Sequence, residues 1–141
     1  MKLVESLFGL SEKLIVVAGG AGQIGFSMSI ILADAGANVI VADLDIEMAE
    51  NKIKEIQEDE IKKRLIPIKL DVSKKEEIET FFQTITEKYG ALYGLVNCFH
   101  FKGNSRKLDT TSNFFSDFEN YPLEAWEQVH DINLTGSFLM S

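Results

Sequence analysis

The stretch L-I-V-V-A-G-G-A-G-Q-I-G at residues 14–25 places the strongest constraint on how this chain can fold. An apolar run ends in glycines and a helical pattern begins at once, which predicts a strand, a tight turn and a helix. Gly19, Gly22 and Gly25 lie three residues apart, so the turn can adopt conformations that other residues avoid. The free N–H groups at the helix start could meet a phosphate, although such glycines also suit an ordinary βα turn.

The rest of the chain alternates strands and helices. After a first helix over residues 23–35, the pattern predicts a strand at 38–43, a helix at 46–64, a strand at 65–71, a helix from Ser73 to Gly90, a strand at 94–99 and a last helix starting near Pro122. Four strands alternating with helices predict right-handed crossovers and a Rossmann-type α/β fold. We expect a doubly wound parallel sheet of strand order 3-2-1-4, with helices on both faces and Pro67 in an edge strand.

Several local details follow from residue spacing. The first helix is predicted by the helical spacing of its apolar residues, with Gly36 as its stop; these residues are Ile24, Met28, Ile31, Leu32 and Ala35. The 46–64 helix should carry solvated acid-to-base pairs four residues apart, namely Glu50 with Lys54, Glu58 with Lys62, Asp59 with Lys63 and Glu60 with Arg64. Ser73 and Glu76 have the spacing of a capping box.

Asp43 ends the second predicted strand, 18 residues beyond Gly25. In a dinucleotide-binding unit a carboxylate here accepts hydrogen bonds from the adenosine ribose hydroxyls. A helix cap is the alternative role, although Asp45 is better placed for that. A carboxylate would repel the phosphate of NADP, and no basic residue lies between Gly19 and Gly25 to relieve the repulsion. The sequence therefore predicts NAD as the cofactor.

Composition excludes several classes of function. With 141 residues and a formal net charge of −8, we expect one domain that does not bind nucleic acid. No apolar run reaches membrane-spanning length, and the acidic residues near the N-terminus argue against a signal peptide. The single cysteine, Cys98, lies in an apolar run and is expected to be a buried thiol in a reducing compartment. We predict a cytoplasmic, soluble protein without a metal site.

Further motifs lie in register with the glycine turn and Asp43. They are L-D-V-S at 70–73, L-V-N at 95–97 and W-E-Q-V-H-D-I-N-L-T-G at 126–136, and with them the chain resembles the N-terminal half of a short-chain dehydrogenase/reductase. The resemblance implies that Gly19, Gly22, Gln23, Ile24, Gly25, Asp43, Asp71, Val72 and Asn97 bind the cofactor. Asp71 and the backbone of Val72 would hold the adenine ring, and Asn97 would lie beside the adenosine ribose.

Asn133 matches the Asn of the family's catalytic Asn-Ser-Tyr-Lys set. Helical spacing also puts its amide on one face with Trp126 and Val129, which predicts a structural or catalytic hydrogen-bond partner. Gly136, one turn on, would allow a close approach to a neighbouring element. No Tyr in the chain is followed by Lys four positions later, so we expect 1–141 to be an incomplete dinucleotide-binding domain that ends inside a helix.

The chain also departs from the family pattern. Ala18 replaces a Thr and Gln23 a Gly, while Gly22 restores the spacing of the extended branch, so the branch stays open. Cys98, Phe99 and His100 replace small residues after strand four. The following segment is longer than usual and aromatic, and it forms either a lid or a surface excursion; its aromatic residues are Phe99, Phe101, Phe114, Phe115, Phe118 and Tyr121.

Several functions remain compatible with these residues. The resemblance favours an NAD-dependent oxidoreductase that acts on a small carbonyl or alcohol substrate and forms a homo-oligomer when intact. The alternatives are an extended-branch nucleotide-sugar epimerase or dehydratase, a non-catalytic NAD-binding regulator, and a Rossmann-like methyltransferase that uses S-adenosylmethionine.

Overall fold

The computed structural model describes residues 9–101 and 116–141. Within them, four parallel strands form one sheet in the order β3-β2-β1-β4. The strands are β1 (Leu14–Ala18), β2 (Asn38–Asp43), β3 (Leu65–Lys69) and β4 (Leu92–Asn97). The predicted Rossmann-type fold and strand order are confirmed.

Helices connect the strands and cover both faces of the sheet. They are α1 (Gln23–Asp34), α2 (Ile46–Lys54), α3 (Asp59–Lys62) and α4 (Lys75–Tyr89). After a short 3-10 turn at Phe118–Asn120, the final helix consists of α5 (Leu123–His130), a π-helical segment (Asp131–Gly136) and α6 (Ser137–Met140).

Each face of the sheet has its own hydrophobic core because successive residues of a strand point to opposite sides. On one face, Val16 and Ile40 pack with α4 and the final helix, which contributes Met140. On the other, Val17 and Val41 pack with α1 and α2. All five residues of β1 are buried, as expected for a central strand of a parallel sheet.

The strand β3 lies at one border of the sheet, as Pro67 predicted. Pro67 is paired in register with Val41 of β2. A proline cannot donate to a strand ladder, and a border strand tolerates this because it has only one neighbour. The opposite border is β4, whose residues are half-buried or exposed.

The predicted first helix is confirmed as α1, but most of the apolar residues whose spacing predicted it do not face the sheet. Ile24 and Ile31 are 71% and 67% exposed, and Met28 is also exposed. The residues of α1 that face the sheet are instead Gly25, Ser29 and Ala33. The helix begins so close to the sheet that only small side chains fit between them. The hydroxyl of the buried Ser29 has a hydrogen-bond partner within the helix, because it donates to the carbonyl of Gly25 (2.9 Å).

The predicted single helix at 46–64 is also wrong, since it divides into α2 and α3. The intervening residues contain Ile56, which packs on the core under α2. The charged face is exposed as expected but pairs differently. Lys63 contacts Glu60 (2.9 Å), and the ammonium of Lys62 donates to the carbonyl of Lys54 (3.0 Å).

Helix caps follow the sequence only in part. Asp45 caps α2 by accepting from the Met48 N–H (3.0 Å), and Gly90 ends α4 with a positive φ, both as predicted. The capping box of Ser73 and Glu76 is wrong. The N-cap of α4 is Lys74, and Ser73 instead donates to the carboxylate of Asp71.

Candidate active site: a cofactor cleft at the carboxyl ends of the strands

The glycine turn lies where the strand order reverses, between β1 and its neighbours β2 and β4. Two hydrogen bonds fix its start, because the amides of Gly19 and Gly20 both donate to the carbonyl of Ala42 (2.8 and 3.0 Å). Gly19 has φ +77°, and a Cβ there would collide with the backbone of Phe99. Glycine is therefore required both for the turn and for its contact with the segment after β4.

The glycine turn leads directly into α1, whose first backbone amides are uncapped. Gly22 is the N-cap and, among the described residues, no side chain accepts a hydrogen bond from the first turn. A Cβ on Gly25 would collide with the carbonyl oxygen of Gly19, so the helix start and the turn are packed together. A helix N-terminus with free N–H groups and a favourable dipole suits an anion such as a pyrophosphate.

Asp43 stands beside this turn at the end of β2. One carboxylate oxygen accepts from the Ala21 N–H (2.9 Å) and the other from the Asp45 N–H (3.0 Å). Asp43 thus ties the glycine turn to the turn that precedes α2. Each carboxylate oxygen has two lone pairs, so Asp43 retains capacity to accept hydrogen bonds from ribose hydroxyls.

These features border a cleft of about 590 Å³, a volume in the range of small-molecule sites. Eight of the nine predicted cofactor-binding residues line it, namely Gly19, Gly22, Gln23, Ile24, Gly25, Asp43, Asp71 and Val72. Asn97 does not line the cleft. It ends β4 opposite Ala18 and is exposed.

Asp71 forms the wall of the cleft after β3. Its carboxylate accepts from both the amide and the hydroxyl of Ser73 (3.0 and 2.6 Å), and Lys74 lies 3.4 Å away. Partial burial raises the pKa of Asp71, but the hydrogen bonds from Ser73 and the cationic Lys74 outweigh burial, so the pKa is lowered. The carboxylate is therefore kept ionised and held in one orientation.

Asn133 lies on the π-helical segment and does not line the cleft. Its side-chain amide forms two hydrogen bonds with the backbone of Phe101. The amide oxygen accepts from the Phe101 N–H (2.6 Å), and the amide nitrogen donates to the Phe101 carbonyl (2.9 Å). This supplies the partner that the sequence predicted, although Trp126 on the same helix is 54% exposed instead of buried. Asn133 thereby fixes the segment after β4 that forms one wall of the cleft.

The close approach predicted for Gly136 is observed. A Cβ there would lie 3.0 Å from the carbonyl oxygen of Val72 and 3.5 Å from the ring of Phe99. The final helix therefore packs directly against two walls of the cleft. Ile132, one residue before Asn133, lines the cleft itself.

Cys98 and His100 belong to the same wall. Cys98 is half-buried, and its sulfur lies 3.7 Å from that of Met28. Burial raises the pKa of the Cys98 thiol, which favours a protonated thiol over a reactive thiolate. No group of three or more His, Cys, Asp or Glu side chains in the part of the chain that the structure describes could hold a metal ion.

Sequence reasoning missed several residues at this site, among them Leu70, Ile132 and Lys52. Leu70 and Ile132 line the cleft, and the Lys52 ammonium donates to a carbonyl of the glycine turn. Leu70 directly follows β3 and Ile132 lies in the π-helical segment, and nothing local distinguishes these ordinary apolar residues. Lys52 lies 31 residues from its partner and was indistinguishable from the other exposed charges of its helix. Most of the long aromatic segment, for which the sequence left a lid and a surface excursion as alternatives, lies outside the described residues, including Phe114 and Phe115.

No described helix combines the length and the hydropathy needed to cross a bilayer.

Comparison with known proteins connects this geometry to a family. A family model described as short chain dehydrogenase matches residues 13–141. The chain is 33% identical to an uncharacterized oxidoreductase of Bacillus subtilis over 93% of its own length and 17% of the relative's. It is 28% identical to an NAD-dependent glycerol dehydrogenase of Listeria innocua, covering 95% of this chain and 46% of the relative. A 5-keto-D-gluconate 5-reductase of Escherichia coli is 29% identical, with coverages of 98% and 49%.

Solved structures agree on the fold. A hydroxysteroid dehydrogenase from Escherichia coli superimposes with a TM-score of 0.76 at 21% identity, covering 97% of this chain and 52% of that one. A short chain dehydrogenase from Bacillus anthracis gives 0.73 at 23% identity, with coverages of 94% and 48%. The chain thus spans no more than about half the length of these relatives and structures. From the family model, and with the cleft in the position described, the chain belongs to the short chain dehydrogenase family.

Proposed function

We propose that this chain supplies the adenosine and pyrophosphate part of an NAD site in an oxidoreductase. The intact protein would move a hydride between the nicotinamide and the carbonyl or alcohol carbon of a small substrate. NAD supplies the hydride acceptor or donor in such chemistry, and the protein supplies binding and orientation. Family membership supports the oxidoreductase class and does not favour a methyltransferase or a regulator.

The observation that carries the proposal is the uncapped N-terminus of α1 opening into the cleft. The amides of residues 23–25 belong to the first turn of a 12-residue helix and have no side-chain cap among the described residues. The pyrophosphate would accept hydrogen bonds from them, and Gly22 leaves room for the approach because it has no side chain. Asp71 and Val72 would then hold the adenine at the far wall.

The preference for NAD over NADP rests on Asp43. Its carboxylate would accept hydrogen bonds from the free ribose hydroxyls, whereas the additional phosphate of NADP would be repelled by it. The glycine turn itself carries no basic residue to offset the repulsion. An NAD-dependent relative is consistent with this assignment.

The catalytic part of the proposal concerns Asn133. We assign it to the family's catalytic set and expect the Ser, Tyr and Lys partners to be supplied outside these 141 residues. Its amide side chain is engaged by Phe101, so its contribution here is to hold the wall beside the reaction site. The 141-residue chain alone is then expected to bind NAD without turning it over. An NADH oxidation assay with carbonyl substrates at an ordinary enzyme rate would contradict this.

The family and two of its relatives support a proposal for the substrate class. A glycerol dehydrogenase and a 5-keto-D-gluconate reductase both act on small polar alcohols or ketones, so we propose a substrate of that kind. We further propose a cytoplasmic protein that forms a homo-oligomer when intact. The exposed apolar residues of the final helix, Leu123, Trp126, Leu134 and Phe138, support association.

A charge placed at the helix start tests the proposal. Gln23 is exposed, is the first residue of α1 and lines the cleft. In Gln23→Glu, the new carboxylate interacts favourably with the dipole of α1 but repels a pyrophosphate. The substitution should therefore lower the affinity for NAD without lowering the stability of the protein. Calorimetric titration should show NAD affinity lowered at least tenfold, about 1.4 kcal/mol, with an unchanged or raised melting temperature.

Gln57→Glu is the matched control, because it adds the same charge at an exposed position that does not line the cleft. Its NAD affinity should stay near that of the wild type. Equal affinities of the two variants, or no NAD binding by the wild type, would overturn the proposed site.

A further inference from the structure

The ammonium of Lys52 is anchored to the back of the glycine turn. Lys52 is half-buried in the last turn of α2, and its Nζ donates to the carbonyl oxygen of Ala21 (2.7 Å). The same ammonium lies 5.3 Å from the centre of the Phe26 ring on α1. A cation–π contact of this kind fixes the position of the charge relative to α1. One side chain of α2 therefore contacts both the turn and the helix that follows it.

Ala21 is held from two sides by charges of opposite sign. Its N–H donates to the Asp43 carboxylate (2.9 Å), while its carbonyl accepts from Lys52. Ala21 is only 1% exposed, so in the folded protein these two side chains, and not solvent, satisfy its backbone groups. Because a peptide unit is planar, holding the Ala21 N–H fixes the unit before it, and holding the Ala21 carbonyl fixes the unit that carries the Gly22 N–H.

These two peptide units join the fixed part of the turn to the helix start. Gly19 and Gly20 are already tied to β2 through the Ala42 carbonyl, and Gly22 is the N-cap of α1. The orientation of the unit between Ala21 and Gly22 therefore sets the direction in which α1 presents its first amides. Lys52 is the side chain that holds this unit, and it does not itself line the cleft.

We propose that Lys52 is a positioning residue for dinucleotide binding, which orders the pyrophosphate-binding turn before the cofactor arrives. This inference rests on the proposed function for its ligand, but the ordering of the turn is a property of the free protein. Because Lys52 has already ordered the turn, the free energy of dinucleotide binding is not reduced by the cost of ordering it. Loss of Lys52 should therefore weaken the binding of ligands that contain a pyrophosphate. It should not change the affinity for ligands that contain only the adenosine.

The test compares two ligands and two variants of the full 141-residue chain. Lys52→Met keeps a long apolar stem beside Phe26 but removes the donor and the charge. Lys54→Met is the matched control, since Lys54 lies exposed on the same helix and its loss removes the same charge. We expect Lys52→Met to weaken ADP-ribose binding about tenfold, the cost of ordering roughly one backbone unit. Lys54→Met should change it less than about twofold.

Adenosine separates positioning from general damage. NMR titration should show adenosine affinity unchanged in Lys52→Met, because adenosine does not need the helix amides. Lys52→Arg, which keeps a donor and a charge, should restore part of the ADP-ribose affinity. Equal ADP-ribose affinity in Lys52→Met and the wild type, or an equal loss for adenosine, would overturn the proposal.

Amide hydrogen exchange of the free protein provides a second measurement that does not depend on any ligand. In Lys52→Met, the two hydrogen-bonded amides of the turn should exchange about tenfold faster, while those of β1 and β2 keep their rates. These are the amide of Ala21, which donates to Asp43 (2.9 Å), and that of Gly22, which donates to the Gly19 carbonyl (3.2 Å). Unchanged exchange at both amides would also overturn the proposal. Accelerated exchange together with no ADP-ribose binding by the wild type would instead show that Lys52 orders the turn and that the proposed NAD site is wrong.

Discussion

At the scale of single residues, Asp43 has a structural role that is compatible with its proposed role in binding ribose. The sequence presented ribose binding and a helix cap as alternatives, and the structure shows the carboxylate bound to two backbone amides. Asp45, and not Asp43, is the N-cap residue of α2. The remaining lone pairs of Asp43 carry the proposed preference for NAD, so the structural and binding roles can coexist in one carboxylate.

Replacing Asp43 should reduce the discrimination between the two dinucleotides. We expect wild-type protein to bind NAD at least tenfold more tightly than NADP, about 1.4 kcal/mol, and Asp43→Ala to narrow that ratio. The variant should also lose stability, by about 1–3 kcal/mol, because the buried amide of Ala21 loses its acceptor. Calorimetric titration of both dinucleotides is the measurement, and an unchanged ratio would leave Asp43 with a structural role alone.

The carboxylate of Asp71 offers a test by pH. Its pKa is lowered because the Ser73 hydrogen bonds and Lys74 outweigh the opposing effect of burial, so folding favours the ionised form. The stability that this contributes is present above the pKa of the unfolded chain, and it is lost as pH falls through the lower pKa of the folded state. In Ser73→Ala, NMR titration should show a higher pKa for Asp71. An unchanged pKa would mean that Lys74 and the backbone amide of residue 73 are sufficient to keep the carboxylate ionised.

At the scale of elements, the sequence predicted what local chemistry decides. The buried strands β1 and β2, the border position of Pro67 and the Asp45 cap all follow from residues that are neighbours in the chain. The eight predicted residues that line the cleft were found because motifs place them at the ends of strands or at the start of α1. The ends of parallel strands meet at one edge of the sheet in this fold.

Tertiary packing decides the features that local patterns did not predict. The exposed Ile24 and Ile31 of α1 have the periodicity of a buried face, but the sheet admits only the small residues opposite them. The break between α2 and α3 contains no Gly or Pro and arises where Ile56 packs on the core. Lys52 is the same kind of case, since its partner is distant in sequence and nothing local marks it.

The link between the final helix and the cleft can be tested at Asn133. Asn133→Ala removes both hydrogen bonds to Phe101 and leaves that backbone partly unsatisfied, so the free energy of unfolding should fall by about 1–3 kcal/mol. Amide exchange should accelerate at Phe101 while β2 is unaffected. Asn120→Ala, at the 3-10 turn outside the cleft, is the control. Equal effects of the two variants would contradict the assigned link.

At the scale of the whole molecule, apolar surface is exposed at a sheet border and on helices of both faces. The strand β4 is a sheet border, α1 exposes Ile24 and Ile31, and the final helix on the opposite face exposes Phe138. Large exposed apolar surfaces of this kind mark sites of association. We predict that the 141-residue chain self-associates at micromolar concentration. Phe138→Glu should weaken the association at least tenfold, as measured by sedimentation, and a stable wild-type monomer would contradict the prediction.

The proline in β3 limits how far such association can go. At that border Pro67 has no N–H to offer an incoming strand, whereas β4 carries no proline. A contact that joined β4 to the β3 border of the next molecule would repeat without end, and it is the contact that Pro67 disfavours. When two copies instead pair their β4 strands about a two-fold axis, the β4 border of each copy is covered. The borders that remain are the two β3 strands. We therefore expect that assembly of the 141-residue chain through this sheet would close at a pair and would not propagate into a filament.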